Sequence, residues 1–173
     1  LMASVDHLEV VKNTAMTPIT FNWTAWSSGV LNSTSSVYTS GDSAHYGSIV
    51  IDSNDKAHIV FYRDDNSNLM YSTNKSGSWA TSSIETSNNV GKYCNLAIDS
   101  NDGLHVSYQY NSGNSLKYAY KSASSSSWSK TTIDNTGGKF TSIAIDSNDK
   151  PHIAYRDSGG DLGYAEKTGS SWS

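Results

Sequence analysis

Apolar and polar residues alternate along this chain in runs of four to seven, and no stretch shows the three- and four-residue spacing of an amphipathic helix. Ser142-Ile143-Ala144-Ile145, His152-Ile153-Ala154-Tyr155 and Leu162-Gly163-Tyr164-Ala165 are typical. Such runs are rich in β-branched and aromatic residues and are bounded by Gly, Asn, Asp and Ser, the residues of tight turns. A fourth run opens at Trp172, and its counterpart from Trp128 to Ile133 shows the full extent. The pattern predicts short strands joined by turns, four to a group, and no helix.

The groups repeat. Ile-Asp-Ser-Asn-Asp stands at Ile51–Asp55, Ile98–Asp102 and Ile145–Asp149, a spacing of 47 residues both times. His58, His105 and His152 follow at a fixed distance, then Leu69 and Tyr71, Leu116 and Tyr118, Leu162 and Tyr164; Trp79, Trp128 and Trp172 close the units. Four strands in this length is the size of a β-propeller blade, which cannot bury both faces alone and stacks on its neighbours. The expected fold is therefore an all-β propeller of four-stranded antiparallel blades, about three per chain, at residues 41–86, 87–135 and 136–173. The units resemble the propeller repeats of bacterial and archaeal surface proteins, which run Ile-Asp, Pro-His-Ile-Ala-Tyr, Leu-Lys-Tyr-Ala and then Trp. The resemblance covers about 140 of the 173 residues. It implies propeller architecture of a kind that includes sialidase-like and lectin-like members.

Residues 1–40 read differently. Leu8–Lys12 follows the third-strand pattern of Leu116–Lys121, and Trp26 with Leu31 matches Trp79 with Ile84 and Trp128 with Ile133. This region is expected to hold outer strands that complete a blade, and the last unit reaches only Trp172, where its fourth strand begins. Three blades are fewer than the four to eight of typical propellers. Two arrangements fit, a piece of a longer propeller or a homodimer in which strands are exchanged between N- and C-terminal blades; the second is the expectation, because it closes six blades into a ring without free edges.

Composition sharpens this picture. Apolar residues make up only 36% of the chain and charged residues 16%, so polarity comes from hydroxyls and amides and the core is thin and repeated. Five Trp and eleven Tyr exclude a disordered chain. A net charge of −4 without a basic cluster excludes nucleic acid as a partner, and no apolar run is long enough for a helix to enter a membrane. Cys94, the single cysteine, opens an apolar strand and reads as a buried structural thiol. The Ser-, Thr- and Asn-rich, lysine-poor surface suggests an extracellular or cell-surface protein.

Candidate chemistry is limited. Asp99-Ser100-Asn101-Asp102-Gly103 begins like a calcium loop, but Leu104, His105 and Val106 follow where a further carboxylate is needed, so a tight turn is the better reading and no metal or cofactor is expected. The histidines beside these turns are expected to bond the turn or pack by the tryptophan. Sialidases clamp a carboxylate with three arginines and use a Tyr–Glu nucleophile pair; this chain has only Arg63 and Arg156, and its glutamates are Glu9, Glu85 and Glu166. A non-enzymatic binding module is expected instead, carbohydrate-binding first, with a protein-docking or structural module as the alternative and a sialidase-like hydrolase ranked below both.

The expected ligand positions lie on loops from second to third strand and between blades. They are Tyr46, Lys92 with Tyr93, and Lys139 with Phe140 on one set, and Arg63 with Asp64, Tyr110, and Arg156 with Asp157 on the other. Aromatic plates beside charged groups suit sugars, whose C–H faces stack on rings and whose hydroxyls take charge-assisted hydrogen bonds. The first and third units both offer Arg-Asp, while the second offers Gln109, Tyr110 and Asn111, so the clefts are expected to differ.

Overall fold

The structure is a computed structural model that describes residues 37–38, 44–87 and 89–173. The strands expected within residues 1–36, and the exchange between copies that depends on them, lie outside the described residues. Twelve strands form three four-stranded antiparallel meanders among the described residues, with no helix. Blade 1 comprises β1 (Ala44–Ile51), β2 (Ala57–Arg63), β3 (Asn68–Thr73) and β4 (Ala80–Glu85). Blade 2 comprises β5 (Val90–Ile98), β6 (Leu104–Tyr110), β7 (Ser115–Lys121) and β8 (Ser129–Asp134). Blade 3 comprises β9 (Lys139–Ile145), β10 (Pro151–Arg156), β11 (Leu162–Thr168) and the short β12 (Ser171–Trp172). The first strands sit side by side, β5 between β1 and β9.

Each Asp-Ser-Asn-Asp string is the turn from first to second strand. The Oδ1 of Asp99 accepts the N–H of Asn101 at 2.9 Å and of Gly103 at 2.7 Å, and Asp52 and Asp146 hold their turns in the same way. Asp55, Asp102 and Asp149 take left-handed φ of 57°, 59° and 60°, which aspartate tolerates better than most residues. The histidine then locks the turn to the sheet. His105 Nε2–H donates to Asp99 Oδ2 at 2.9 Å, and Nδ1 accepts the Tyr118 hydroxyl at 2.7 Å. His58 has the same partners in Asp52 and Tyr71, while His152 meets the Tyr164 hydroxyl at 2.6 Å and has its Nε2 3.4 Å from Asp146.

The same turns tie one blade to the next. Ser53 donates through its N–H and hydroxyl to the Asp102 carboxylate at 2.9 and 2.5 Å, and Ser100 to Asp149 at 2.8 and 2.7 Å. Tyr71 meets Trp128 edge-on at 5.4 Å between ring centres, and Tyr118 meets Trp172 at 4.9 Å. Apolar burial follows these joints. One cluster joins Val60, Leu69 and Tyr71 of blade 1 to Val90, Leu96 and Val106 of blade 2; the second joins Leu116 and Tyr118 to Ile143 and Ile153. The core is thus a pair of inter-blade interfaces. Gly91 and Gly138 show how close the blades come: a Cβ on either would lie 2.7 Å from Leu69 or Leu116, and both have positive φ.

Tyr118→Phe removes the hydroxyl that satisfies a buried His105 nitrogen and should cost about 1–3 kcal/mol in urea unfolding. Tyr164→Phe, at the exposed equivalent, should leave the unfolding curve unchanged. Equal losses at both positions would show that the buried hydroxyl is not what holds the turn.

Candidate functional site

At the end of the sheets opposite these turns, the first strand of each blade carries a bulge. The register shifts between His45 and Ser48 in β1, between Lys92 and Asn95 in β5, and opposite Ala154 and Arg156 in blade 3. Tyr46, Tyr93 and Phe140 occupy the bulges with φ of 56°, 53° and 53°, an uncommon conformation for a bulky side chain. In blades 1 and 2 the bulge turns the carbonyl toward the following blade. Cys94 Sγ–H donates to the Tyr46 carbonyl at 3.1 Å and the Thr141 hydroxyl to the Tyr93 carbonyl at 2.7 Å. Two residues on, the Leu96 N–H donates to the Ser48 hydroxyl at 3.0 Å and the Ile143 N–H to Asn95 Oδ1 at 3.1 Å. Burial pushes the Cys94 thiol up to about 12, which keeps it protonated and unreactive.

The bulges bring three of the expected ligand residues into one row. Tyr46 and Tyr93 lie 4.8 Å apart between ring centres, and Tyr93 and Phe140 lie 4.5 Å apart. Tyr46 is 42% exposed and Phe140 61%. Beside the row, His45 is 3.9 Å from Asp64, and the Lys92 ammonium sits over the Tyr62 ring. The Tyr46 phenol is raised above its usual value by partial burial and by Tyr93, so it stays uncharged at neutral pH.

The other expected residues scatter. Arg63 is paired with Asp65 and lies over the Tyr38 ring. Tyr110 packs near Gly113 with Lys117 over its ring. Arg156 reaches back to the Gly160 carbonyl at 3.4 Å, and Asp157 caps its own loop through the Asp161 N–H. Lys139 stands opposite Arg156 in the ladder, next to Phe140. The strand registers also correct the sequence alignment of the two Arg-Asp pairs. Tyr62 pairs with Leu69, Gln109 with Leu116 and Arg156 with Leu162. Arg156 is therefore the counterpart of Tyr62 and Gln109, whereas Arg63 is the counterpart of Tyr110. One residue out of phase on a strand places the two guanidiniums on opposite faces. Gln109 is fully buried, with its amide donating to Asn114, so it is not available to a ligand.

A Tyr–Glu pair does occur, but in the wrong state for nucleophilic chemistry. The Tyr108 hydroxyl donates to Glu85 Oε2 at 2.7 Å, and Lys117 pairs with the same carboxylate. Tyr108 is fully buried, and burial together with Glu85 raises its phenol far above the usual value, so it stays protonated. Tyr155 with Asp134, at 2.8 Å, repeats the arrangement at the next joint, which marks both pairs as inter-blade bonds.

The turn end holds a cleft of about 510 Å³ between blades 2 and 3, lined by His105, Tyr120, Asp149, Lys150 and Lys167 among others. Its groups are largely committed. Asp149 holds Ser100, Lys150 is 3.6 Å from Glu166, and Lys167 lies over the Tyr118 ring. Among the described residues no cluster of three His, Cys, Asp or Glu side chains could hold a metal ion.

No family model matches the chain, and no curated protein matches it in sequence. Solved structures share its fold. The chain is similar to a fucose lectin from Kordia zhangzhouensis in complex with methyl-fucoside, with a TM-score of 0.50 and 14% identity over 73% of this chain and 95% of that one. It is similar to the Aleuria aurantia lectin in complex with alpha-methyl-L-fucoside, with a TM-score of 0.53 and 19% identity over 73% of this chain and 42% of that one. It is also similar to a Hadza microbial sialidase, with a TM-score of 0.55 and 12% identity over 76% of this chain and 37% of that one. The chain thus spans about two fifths of the length of the Aleuria lectin and of the sialidase. The fold is that of β-propeller blades, distantly related in shape to those of lectins and sialidases.

Protonation links the turn end to stability. Burial lowers the His105 pKa below its usual 6.5, and the bond to Asp99 offsets only part of that. Burial alone would raise Asp99 above its usual 3.8, but bonds from His105 and from the N–H groups of Gly103 and Asn101 together lower it. Both groups thus bind protons more weakly when folded. Their contributions are complete at neutral pH and are lost on acidification, that of His105 from about 6.5 downward and that of Asp99 from about 3.8 downward. The melting temperature should fall in these two ranges, and His105→Gln should remove the upper step. A wild-type melting temperature constant from pH 7 to 5 would contradict this assignment.

Proposed function

We propose that this protein is a non-enzymatic carbohydrate-binding module of lectin type, acting through the aromatic row at the bulge end. The observation that carries the reading is the choice of residue at the bulges. Glycine would adopt the same positive φ without strain. All three positions instead carry partly exposed rings, spaced 4.5–4.8 Å apart between centres. Strain retained at equivalent points for the sake of the side chain suggests a role for the rings themselves.

Sugar rings stack on such surfaces through their C–H faces, and His45, Asp64, Lys92 and Lys139 supply polar and charged partners for the hydroxyls along the edge. Several weak contacts in one row would act together through avidity. The methyl-fucoside complexes of similarly folded lectins support this reading, and the buried, protonated Tyr108 weighs against hydrolysis. An extracellular or cell-surface location goes with it. The alternative is a module that docks protein on the same end.

A glycan array tests the proposal. For any glycan bound, Tyr93→Ala and Phe140→Ala should each weaken binding about tenfold or more, equivalent to about 1.4 kcal/mol, while Arg156→Ala should have a smaller effect. An empty array together with a captured protein partner would favour the docking module; glycan binding unaltered by both ring substitutions would place the site elsewhere.

A further inference from the structure

We propose that the cleft at the turn end, between blades 2 and 3, is a second ligand site, shaped for a sugar ring that carries one carboxylate. It lies at the opposite end of the sheets from the aromatic row and does not depend on it. Its volume of about 510 Å³ falls within the roughly 300–1,000 Å³ of small-molecule sites. Three of the residues that line it are peculiar to this joint. Tyr120 stands opposite His105 in the ladder, where blade 1 has Thr73 opposite His58. Lys150 and Pro151 close the third turn, where the second turn has Gly103 and Leu104. The serine–aspartate bonds are the same at both joints, so these changes alter the wall of the cleft and not the bonds that hold the blades together. One side of the Tyr120 ring has a structural task, since it packs on His105 at 4.8 Å and on the second apolar cluster. Its hydroxyl has no hydrogen-bond partner among the described residues.

The balance of donors and acceptors selects the occupant. The Asp99 carboxylate already accepts three bonds, from the N–H groups of Asn101 and Gly103 and from His105. The Asp149 carboxylate also accepts three, from the Ser100 N–H and hydroxyl and from the Asn101 amide. Each therefore has little acceptor capacity left. The donors are in the opposite condition. The Tyr120 hydroxyl and the Lys167 ammonium donate to no described residue; Lys167 rests over the Tyr118 ring at 5.7 Å and pairs with no described carboxylate. A cleft whose acceptors are filled and whose donors are left over takes a ligand that accepts. The ammonium favours an anionic acceptor, while Asp99 and Asp149 in the same wall oppose more than a single negative charge. Tyr120 offers a ring on which the C–H face of a sugar can stack. A uronic acid meets all three conditions, with one carboxylate for Lys167, a C–H face for Tyr120 and hydroxyls that accept from the tyrosine. A doubly charged phosphate ester does not meet the second.

The test is a titration of the whole chain with methyl glucuronoside, methyl glucoside and acetate, followed by amide chemical shifts in NMR. Methyl glucuronoside should shift Tyr120, Asp149 and Lys167 and bind about tenfold or more tighter than methyl glucoside, the worth of a charge-assisted bond. Lys167→Gln should remove that preference. Tyr120→Thr, which restores the residue that blade 1 carries at this position, should abolish binding with an unaltered circular dichroism spectrum, and Tyr120→Phe, which keeps the packing, should weaken it. Phe140→Ala should leave the shifts at the cleft unchanged, so the cleft and the aromatic row stand or fall separately. Absence of shifts at the cleft overturns the proposal. Equal affinity for the glucoside overturns the role of Lys167, and equal affinity for acetate overturns the role of the Tyr120 ring.

Discussion

The structure depends on a bond network in the turn between first and second strands, where one short string serves two blades at once. Its first aspartate satisfies the turn's own N–H groups and the histidine that ties the turn to a third-strand tyrosine. Its serine and last aspartate reach outward, the serine to the following blade and the aspartate to the preceding one. Loosening the turn inside a blade therefore also loosens the joint to its neighbour. Blades with so few apolar residues gain their stability at interfaces, and these bonds set the distance at which Tyr71 and Tyr118 meet a tryptophan of the next blade.

The two ends of the sheets divide the work. The turn end is closed by mutual bonds, and most polar groups of its cleft are already engaged. At the bulge end, carbonyls are directed into the joints while the side chains attached to them stay partly in solvent. A bulge is a structural device for twisting a strand and redirecting a carbonyl, and it does not by itself require a ring. The aromatic row is thus a place where structure is satisfied by the backbone and the side chain is left for another role. That separation distinguishes Tyr46, Tyr93 and Phe140 from the equally aromatic Tyr62, Tyr108 and Tyr118, which are buried in the joints.

Much of this was legible in the residues. The 47-residue spacing, the alternation at period two and the scarcity of apolar residues pointed to blades, to strand number and to a core lying between blades. The reason is that each of these depends on neighbours within one unit. The histidines were legible as turn-bonding groups for the same reason. The alignment of Arg63 with Arg156 did not survive the strand registers: Arg63 plus 47 is Tyr110, and shared dipeptide identity masked a shift of one residue. Glu85 and Tyr108, 23 residues apart and in different blades, gave no local pattern at all.

By itself, then, the sequence determined the fold class and the repeat, because backbone alternation and turn chemistry act over a few residues and recur three times. Only the tertiary structure decided which side chains meet. The partners of Ser53, Tyr46 and Ser48 lie 48 or 49 residues away in another blade. Such contacts depend on how far one sheet sits from the next and on which face a residue emerges, and no spacing along the chain carries that information. The joining of three separate aromatic positions into one row belongs to the same class: each bulge is local, but the row exists because adjacent first strands stand side by side.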